Sequence, residues 1–267
     1  MNAPNALRRD ERGFTLTELL ITMAILGLVM SAVLGVQLTS NTMFLRGENQ
    51  AEAQQAARAA MLMEEDLRMA GYGCPDLGCP TPPPAGAQQK VTAASANSVT
   101  FWADTLNVST RLSADVAAGA TTLPVVNASG IIVNDRIYLN NGSTWETRVV
   151  TAKVGNNLSV AALTNAYGQG VQVGRPRLIA YTYTAATRTL TKDAGDGNGV
   201  QTLATGIVGL TFGYFNNFTD ASITTPVAAG NLPLIGRIQI QTTTLSAQAA
   251  SGRSTYQINT NVRPRNL

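Results

Sequence analysis

A long apolar run follows a short basic leader near the start of the chain. From Leu19 to Val36 only Thr22 and Ser31 are polar. About 20 apolar residues at a rise of 1.5 Å per residue cross the core of a bilayer, so this run predicts a membrane helix. Glu18 lies at its amino-terminal edge, and an uncompensated carboxylate costs about 2.5–3.5 kcal/mol at the centre of such a helix. Glu18 therefore needs a partner.

The helical pattern continues beyond the apolar run. Apolar residues recur at three- and four-residue steps, at Ala56, Ala60, Met63, Leu67 and Ala70, which is the pattern of an amphipathic helix. No proline occurs between Phe14 and Cys74, so the sequence predicts one continuous helix of about 55 residues. Gly71-Tyr72-Gly73 and the prolines that follow are stop signals.

The rest of the chain has the pattern of β-structure. Short runs rich in β-branched and aromatic residues are separated by Asn, Gly and Ser turns, and Asn140-Asn141-Gly142-Ser143 is a strong hairpin signal. The runs cover residues 99–103, 121–126, 135–139, 147–150, 178–184, 187–191, 209–215, 237–243 and 256–262. They predict an α+β fold, with the long amino-terminal helix packed on an antiparallel β-sheet.

One part of the β-region has the pattern of a separate module. Between 113 and 173 four or five short strands follow each other closely, which favours a compact, barrel-like β-rich insert. The whole chain then divides into the following predicted segments: leader 1–13, membrane helix 14–37, amphipathic helix 38–73, loop and first strand 74–112, β-rich insert 113–173, and carboxy-terminal β-sheet 174–267.

Composition argues against several classes of function. The chain has no histidine, which removes the commonest general base and metal ligand, so we predict no enzyme activity and no cofactor. Its net charge is only +3 with 13% charged residues, and no block of one sign is present to hold a phosphate backbone. We therefore predict no dedicated nucleic-acid binding.

The only cysteines, Cys74 and Cys79, enclose a short loop that contains Pro75 and Gly78. No second pair is present to complete a zinc site. In a domain on the oxidising side of a membrane, a disulfide between them is the favoured interpretation, and two free thiols are the alternative.

The segment from Lys192 to Gly199 carries side-chain oxygens that suit calcium. Asp193, Asp196 and Asn198 are the candidate ligands, but their spacing lacks the alternating pattern and the closing Glu of an EF-hand loop. A hairpin turn without metal is the favoured prediction.

A cut between Gly13 and Phe14 would provide the partner that Glu18 needs. The new α-amino group would lie four residues from Glu18 and would pair with it within the chain or on a neighbouring copy. The segment from Arg12 to Leu20 resembles the class III signal of type IV prepilins and type II secretion pseudopilins. The resemblance implies that a prepilin peptidase cuts after Gly13 and methylates Phe14, and that Glu18 guides docking into the filament.

A second resemblance lies at the end of the predicted helix. Gln54 to Ala60, followed by Asp66-Leu67-Arg68-Met69-Ala70-Gly71-Tyr72-Gly73-Cys74, is similar to the helix end of PilW-type minor pilins. The ending Arg263-Pro264-Arg265-Asn266-Leu267 resembles the Arg-Asn ending of minor pilins and pseudopilins. The resemblance implies a type IV pilin fold and a low-copy subunit that primes or caps a pilus.

The resemblances therefore imply a minor pilin, first anchored by one span in a bacterial inner membrane with its head in the periplasm, then part of a surface pilus. The expected partners are other major and minor pilins, prepilin peptidase and the inner-membrane assembly platform, with a tip adhesin as a further candidate. The nearest alternative is a type II secretion pseudopilin. The pattern is also compatible with a plain membrane anchor, and with a periplasmic hydrolase or binding protein released by an ordinary signal that is cut near Gly35.

Overall fold

The computed structural model describes residues 15–71, 90–105, 108–245 and 255–264. The chain divides into two units, Met1–Glu48 and Asn49–Leu267. A single α-helix, α1 (Leu16–Arg68), supplies the described structure of the first unit and the amino-terminal part of the second. The prediction of one uninterrupted helix in this part of the chain is confirmed.

In the first unit the apolar side chains of α1 are exposed. The apolar stretch is long enough to cross a membrane, and none of it is buried among the described residues. Its two hydroxyl side chains bond to the helix backbone: Thr22 Oγ1 donates to the carbonyl oxygen of Glu18 (2.8 Å), and Ser31 Oγ donates to that of Leu28 (2.8 Å). Both hydroxyls of this stretch are therefore satisfied within the helix, as apolar surroundings require.

The second unit contains fifteen described strands, all paired antiparallel. In chain order they are β1 (Val91–Ala94), β2 (Ser98–Ala103), β3 (Ser109–Arg111), β4 (Thr122–Pro124), β5 (Arg136–Asn140), β6 (Trp145–Val154), β7 (Asn157–Val160), β8 (Gln172–Gly174), β9 (Arg177–Thr184), β10 (Thr189–Asp193), β11 (Val200–Ala204), β12 (Gly209–Asn216), β13 (Ser222–Ile223), β14 (Ile235–Leu245) and β15 (Thr255–Val262). A 3₁₀-helix, Ala229–Leu234, precedes β14.

Two of the three sheets share one core with the carboxy-terminal part of α1. A five-stranded sheet has the order β1-β2-β9-β10-β11, and a four-stranded sheet has the order β13-β12-β14-β15. The helix buries Ala56, Ala59, Ala60, Met63 and Leu67 against both sheets. The α+β prediction is confirmed, but the strands outside the barrel described below form two sheets where the sequence predicted one. The sheets meet at the β1–β2 turn, where the amide of Phe212 donates to the carbonyl oxygen of Ala96 (2.8 Å).

The third sheet closes into a barrel. Its order is β3-β8-β5-β6-β7-β4, and an antiparallel bridge between Leu112 and Val125 joins the two outer strands. The amide of Ser113 also donates to the carbonyl oxygen of Pro124 (2.9 Å). Closure leaves no free sheet edge and encloses a separate cluster of apolar side chains. The predicted β-rich module, 113–173, lies within these strands.

The barrel interrupts a hairpin. Ala103 at the end of β2 pairs with Arg177 at the start of β9, and Ser109 at the start of β3 pairs with Gly174 at the end of β8. The amide of Arg175 donates to the carbonyl oxygen of Val108 (3.1 Å). The chain therefore enters and leaves the barrel at adjacent points. Without the barrel, the five-stranded sheet would be an uninterrupted meander of hairpins.

A buried polar group joins α1 to the five-stranded sheet. Asp66 is only 6% exposed, and its carboxylate accepts a hydrogen bond from the Tyr181 hydroxyl. Lys192 Nζ lies 2.5 Å from Asp66 Oδ2 and 5.7 Å from the centroid of the Tyr181 ring. Burial, together with the negative charge of Asp66, raises the pKa of Tyr181 above its ordinary value. The helix is thus fixed to β9 and β10 by charge as well as by apolar packing.

The end of α1 follows the glycine signal in the sequence. After Arg68 the amide of Ala70 bonds to the carbonyl oxygen of Leu67 (3.1 Å), which tightens the last turn. Gly71 has a φ of 94°, and its amide donates to the carbonyl oxygen of Trp102 on β2 (2.9 Å). A positive φ favours glycine, so Gly71 ends the helix and turns the chain onto the sheet.

Candidate processing and assembly site

The predicted processing site lies at the start of α1. Gly13 and Phe14, the residues on either side of the predicted cut, are outside the described residues. The described structure begins at Thr15, and Glu18 lies in the first turn of the helix. Along the sequence, Glu18 comes four residues after Phe14, the predicted amino terminus of the processed chain.

Thr15 and Glu18 form a reciprocal cap at the start of α1. The amide of Glu18 donates to Thr15 Oγ1 (3.3 Å), while the amide and the hydroxyl of Thr15 donate to Glu18 Oε2 (3.0 and 2.9 Å). The first helical bond joins the amide of Leu19 to the carbonyl oxygen of Thr15 (3.2 Å). This arrangement is a capping box, in which two backbone amides that lack helical partners are satisfied by side chains.

The cap leaves part of the carboxylate available. Both Thr15 donors bond to Oε2 of Glu18, and Oε1 accepts no hydrogen bond from any residue that the structure describes. A carboxylate has lone pairs on both oxygens, so Glu18 can cap its own helix through Oε2 and accept an ammonium group through Oε1. The geometry therefore allows the local role and the assembly role at the same time.

The role of Thr15 was not among the sequence predictions, although Glu18 was. The signal was present, because a Thr followed three residues later by a Glu before an apolar run is the sequence pattern of a capping box. The energetic cost of the carboxylate pointed to the Phe14 amine, within the chain or on a neighbouring copy. Among the described residues the partner is Thr15.

Thr15→Ala is expected to fray the first turn of α1. Loss of an N-cap side chain costs about 1 kcal/mol, which corresponds to roughly fivefold faster exchange of locally protected amides. Hydrogen exchange of the Glu18 and Leu19 amides in detergent micelles measures this change, and Thr15→Ser, which keeps the hydroxyl, is the matched control. Equal exchange rates in Thr15→Ala and the unmodified protein would contradict the cap.

The predicted cysteine pair cannot be placed. Cys74 and Cys79 lie outside the described residues. Their disulfide remains a prediction.

The candidate calcium ligands lie at the end of β10 and in the turn that joins it to β11. The amide of Gly195 bonds to Asp193 Oδ1 (2.9 Å), and the amide and side chain of Asn198 bond to the Asp196 carboxylate (3.0 and 2.9 Å). These bonds with Asn198 keep the pKa of Asp196 below its ordinary value. Both carboxylates thus stabilise the turn. Among the described residues no group of three or more Asp, Glu, His or Cys side chains is placed to hold a metal ion.

Comparison with known proteins finds a similarity in the amino-terminal part of the chain. A family model described as the prokaryotic N-terminal methylation motif matches residues 8–34. The match includes Gly13, Phe14 and Glu18 and extends into the apolar half of α1. A search of curated proteins found no match.

The methylation motif, the apolar helix and the α+β head together support a type IV pilin or pseudopilin. The motif implies processing by a prepilin peptidase and association with other pilins, and it points to a structural subunit rather than an enzyme. The apolar helix and the motif suit anchoring in the inner membrane followed by assembly.

Proposed function

We propose that this chain is a PilW-like minor pilin of a type IV pilus, which primes or caps the filament. The observation that carries the proposal is the methylation motif at 8–34, which extends into a 53-residue helix whose apolar part is exposed. Such an apolar surface can contact lipid before assembly and the helices of neighbouring subunits afterwards. The finer assignment to the PilW type is supported by the Asp66-Leu67-Arg68 and Ala70-Gly71-Tyr72 pattern at the helix end.

The proposed processing step creates the charge that Glu18 requires. Cleavage of the Gly13–Phe14 bond by prepilin peptidase frees the amine of Phe14, which is then methylated and remains cationic. The apolar helix holds the subunit in the inner membrane with its head in the periplasm. The leader, 1–13, is removed, and the membrane segment, 14–37, becomes the part that enters the filament core.

In assembly, Glu18 receives the Phe14 amine of an adjoining subunit. Apolar contacts between helices supply most of the cohesion, while the buried ion pair sets the axial register, a role that such pairs perform even when they add little stability. Oε1 of Glu18, which accepts no hydrogen bond from the part of the chain that the structure describes, supports this role. The proposed partners are major and other minor pilins, the inner-membrane assembly platform and a tip adhesin.

Amino-terminal mass spectrometry of the protein from membranes tests the processing step. We expect a mature chain that begins at a singly methylated Phe14. A mature terminus near Val36 would instead indicate an ordinary secretory signal and would overturn the proposal. Intact mass under non-reducing conditions checks the proposed Cys74–Cys79 disulfide, because two free thiols retain two extra hydrogens.

The type II secretion pseudopilin is the second candidate, because the methylation motif is shared by both classes. Deletion of the gene separates them. Loss of twitching or DNA uptake supports the pilus, whereas loss of enzyme secretion with normal piliation supports the pseudopilin.

The barrel is proposed to be an insert that the pilin head does not need for folding. Its entry and exit strands pair at Ser109 and Gly174, and it has its own apolar core. Its function is proposed to be the presentation of a surface to a tip protein or an attachment target, and a packed decoration without a dedicated ligand is the alternative.

Replacement of residues 105–175 by a two-residue Asn-Gly turn is expected to leave a folded head, because β2 and β9 are already hairpin partners. Far-UV circular dichroism and protease resistance measure folding, and piliation and attachment assays measure function. A matched control replaces only the β5–β6 turn, Asn141–Thr144, with Asn-Gly. An unfolded head would show that the barrel is part of the core, and normal piliation with normal attachment would contradict a functional insert.

A further inference from the structure

Two Asn-Gly pairs lie in exposed turns of the head. Asn141-Gly142 is in the β5–β6 turn, and Asn198-Gly199 is in the β10–β11 turn. Both asparagines are exposed, and both glycines have a positive φ, 88° at Gly142 and 78° at Gly199. No other asparagine in the sequence is followed by glycine. The same local chemistry is therefore present in two different turns.

The two residues of an Asn-Gly pair can react with each other. The backbone nitrogen of the glycine attacks Cγ of the asparagine, the Cγ–Nδ2 bond breaks, and ammonia leaves with the proton of the attacking nitrogen. The product is a cyclic imide, a succinimide, which water opens to aspartate or isoaspartate. Glycine favours the reaction because it has no Cβ to crowd the attacking nitrogen and because its backbone is conformationally free. Water is the only other reactant.

The β5–β6 turn holds both reacting groups of its pair. Asn141 Oδ1 accepts hydrogen bonds from the amide of Ser143 (2.9 Å) and from the amide and hydroxyl of Thr144 (2.7 and 3.2 Å). The amide of Gly142 donates to Asn140 Oδ1 (2.8 Å). The side chain that must be attacked and the nitrogen that must attack are therefore both bonded to other groups. The reaction has to break some of these bonds first.

The β10–β11 turn leaves the attacking nitrogen of its pair free. In the described part of the chain no acceptor bonds to the amide of Gly199, and no donor bonds to Asn198 Oδ1. The amide and Nδ2 of Asn198 bond only to the carboxylate of Asp196 (3.0 and 2.9 Å). A Cβ built on Gly199 would meet no atom within 4 Å, so the space around this glycine is open. The β10–β11 turn thus restrains its Asn-Gly pair less than the β5–β6 turn does.

We propose that Asn198 is a site of spontaneous deamidation in the folded protein, whereas Asn141 is protected by the hydrogen bonds of its turn. The reaction replaces a neutral amide at position 198 by a negative charge and removes the Nδ2 donor that now bonds to Asp196. Because the reaction needs no enzyme, the product accumulates with the age of the molecule. The proposal is independent of the pilin assignment.

Peptide mass spectrometry of the full-length protein, incubated at neutral pH in detergent micelles, measures conversion at both sites. We expect Asn198 to convert about tenfold faster than Asn141, a ratio that corresponds to about 1.36 kcal/mol in the barrier, close to the net value of one hydrogen bond. Incubation in urea, which unfolds both turns, is the matched reference, and there we expect similar rates. Equal rates in the folded protein, no conversion at Asn198, or an undiminished preference in urea would overturn the proposal.

Two variants separate the effect of the turn from that of the Asn-Gly sequence. Asn140→Ala removes the acceptor of the Gly142 amide, so it is expected to raise the rate at Asn141 severalfold and to leave the rate at Asn198 unchanged. Asn198→Gln keeps a side-chain amide but needs a larger ring, which closes more slowly, so it is expected to stop conversion at this position. An unchanged rate at Asn141 in Asn140→Ala would contradict protection by the turn.

Discussion

Glu18→Ala is expected to leave cleavage and methylation at Phe14 intact and to reduce incorporation into filaments roughly 100-fold. The substitution removes the carboxylate that is proposed to receive the amine of an adjoining subunit. A charge left unpaired in an apolar helical layer costs about 2.5–3.5 kcal/mol, and each 1.4 kcal/mol corresponds to a factor of ten. The ratio of protein in sheared filaments to protein in membranes measures the effect.

Two further variants separate the charge of Glu18 from its cap. Glu18→Gln keeps a side chain that can complete a capping box but removes the negative charge. Thr15→Ala removes the cap hydroxyl and keeps the charge. If the ion pair controls assembly, Glu18→Gln fails as Glu18→Ala does, and Thr15→Ala assembles. Normal incorporation of Glu18→Ala would contradict the proposed docking role.

Asp66→Ala is expected to destabilise the head by about 3 kcal/mol. Removal of one member of a buried ion pair leaves the other charge uncompensated, and here Lys192 and the Tyr181 hydroxyl both lose their partner. Urea unfolding followed by the fluorescence of Trp102 and Trp145, both in the second unit, measures the free energy of unfolding. An effect below about 1 kcal/mol would show that the group contributes little.

Two controls define the cause of the Asp66 effect. Glu64→Ala removes an exposed ion pair with Arg68 on the same helix and is expected to cost less than about 0.5 kcal/mol. Asp66→Leu with Lys192→Met replaces the buried pair by apolar side chains, and we expect it to recover most of the loss. Failure of the double variant to recover stability would indicate damage to packing rather than an unpaired charge.

The Tyr181 hydroxyl, which bonds to Asp66, also lowers the stability of the head at alkaline pH. Because the folded protein holds the Tyr181 proton more tightly than the unfolded chain, the stability that this phenol contributes is complete below the unfolded pKa of about 10 and is lost as pH rises above it. Tyr181→Phe removes this part of the pH dependence.

Local sequence patterns predicted the elements that depend on interactions between residues close together in the chain. The three- and four-residue spacing of Ala56, Ala60, Met63 and Leu67 correctly identified the buried face of α1, and Ala70, in the turn after the helix, is buried as well. The Asn140 to Ser143 signal is confirmed as the β5–β6 turn, where the amide of Asn141 bonds to the carbonyl oxygen of Thr144 (3.2 Å). In these cases neighbouring residues in the chain supply the interaction.

Features that depend on distant parts of the chain were not predictable in the same way. Closure of the barrel depends on the bridge between Leu112 and Val125, and the three residues of β3 are too few to show alternation. The pairing of Asp66 with Lys192 joins a helix to a strand far along the chain, and neither residue alone indicates the other. The cap at Glu18 is a different case, because Thr15 was near enough to be recognised.

The adjacency of Val108 and Arg175 has a consequence for how such chains diversify. A segment whose two ends lie side by side can be gained, lost or exchanged while the surrounding strands keep their order and pairing. Only a short turn is then needed to connect β2 to β9. The connection between β2 and β9, which the barrel now occupies, is therefore a site that tolerates insertions. A foreign domain with neighbouring termini, grafted there, would be displayed by the head while the helix that anchors it kept its own sequence.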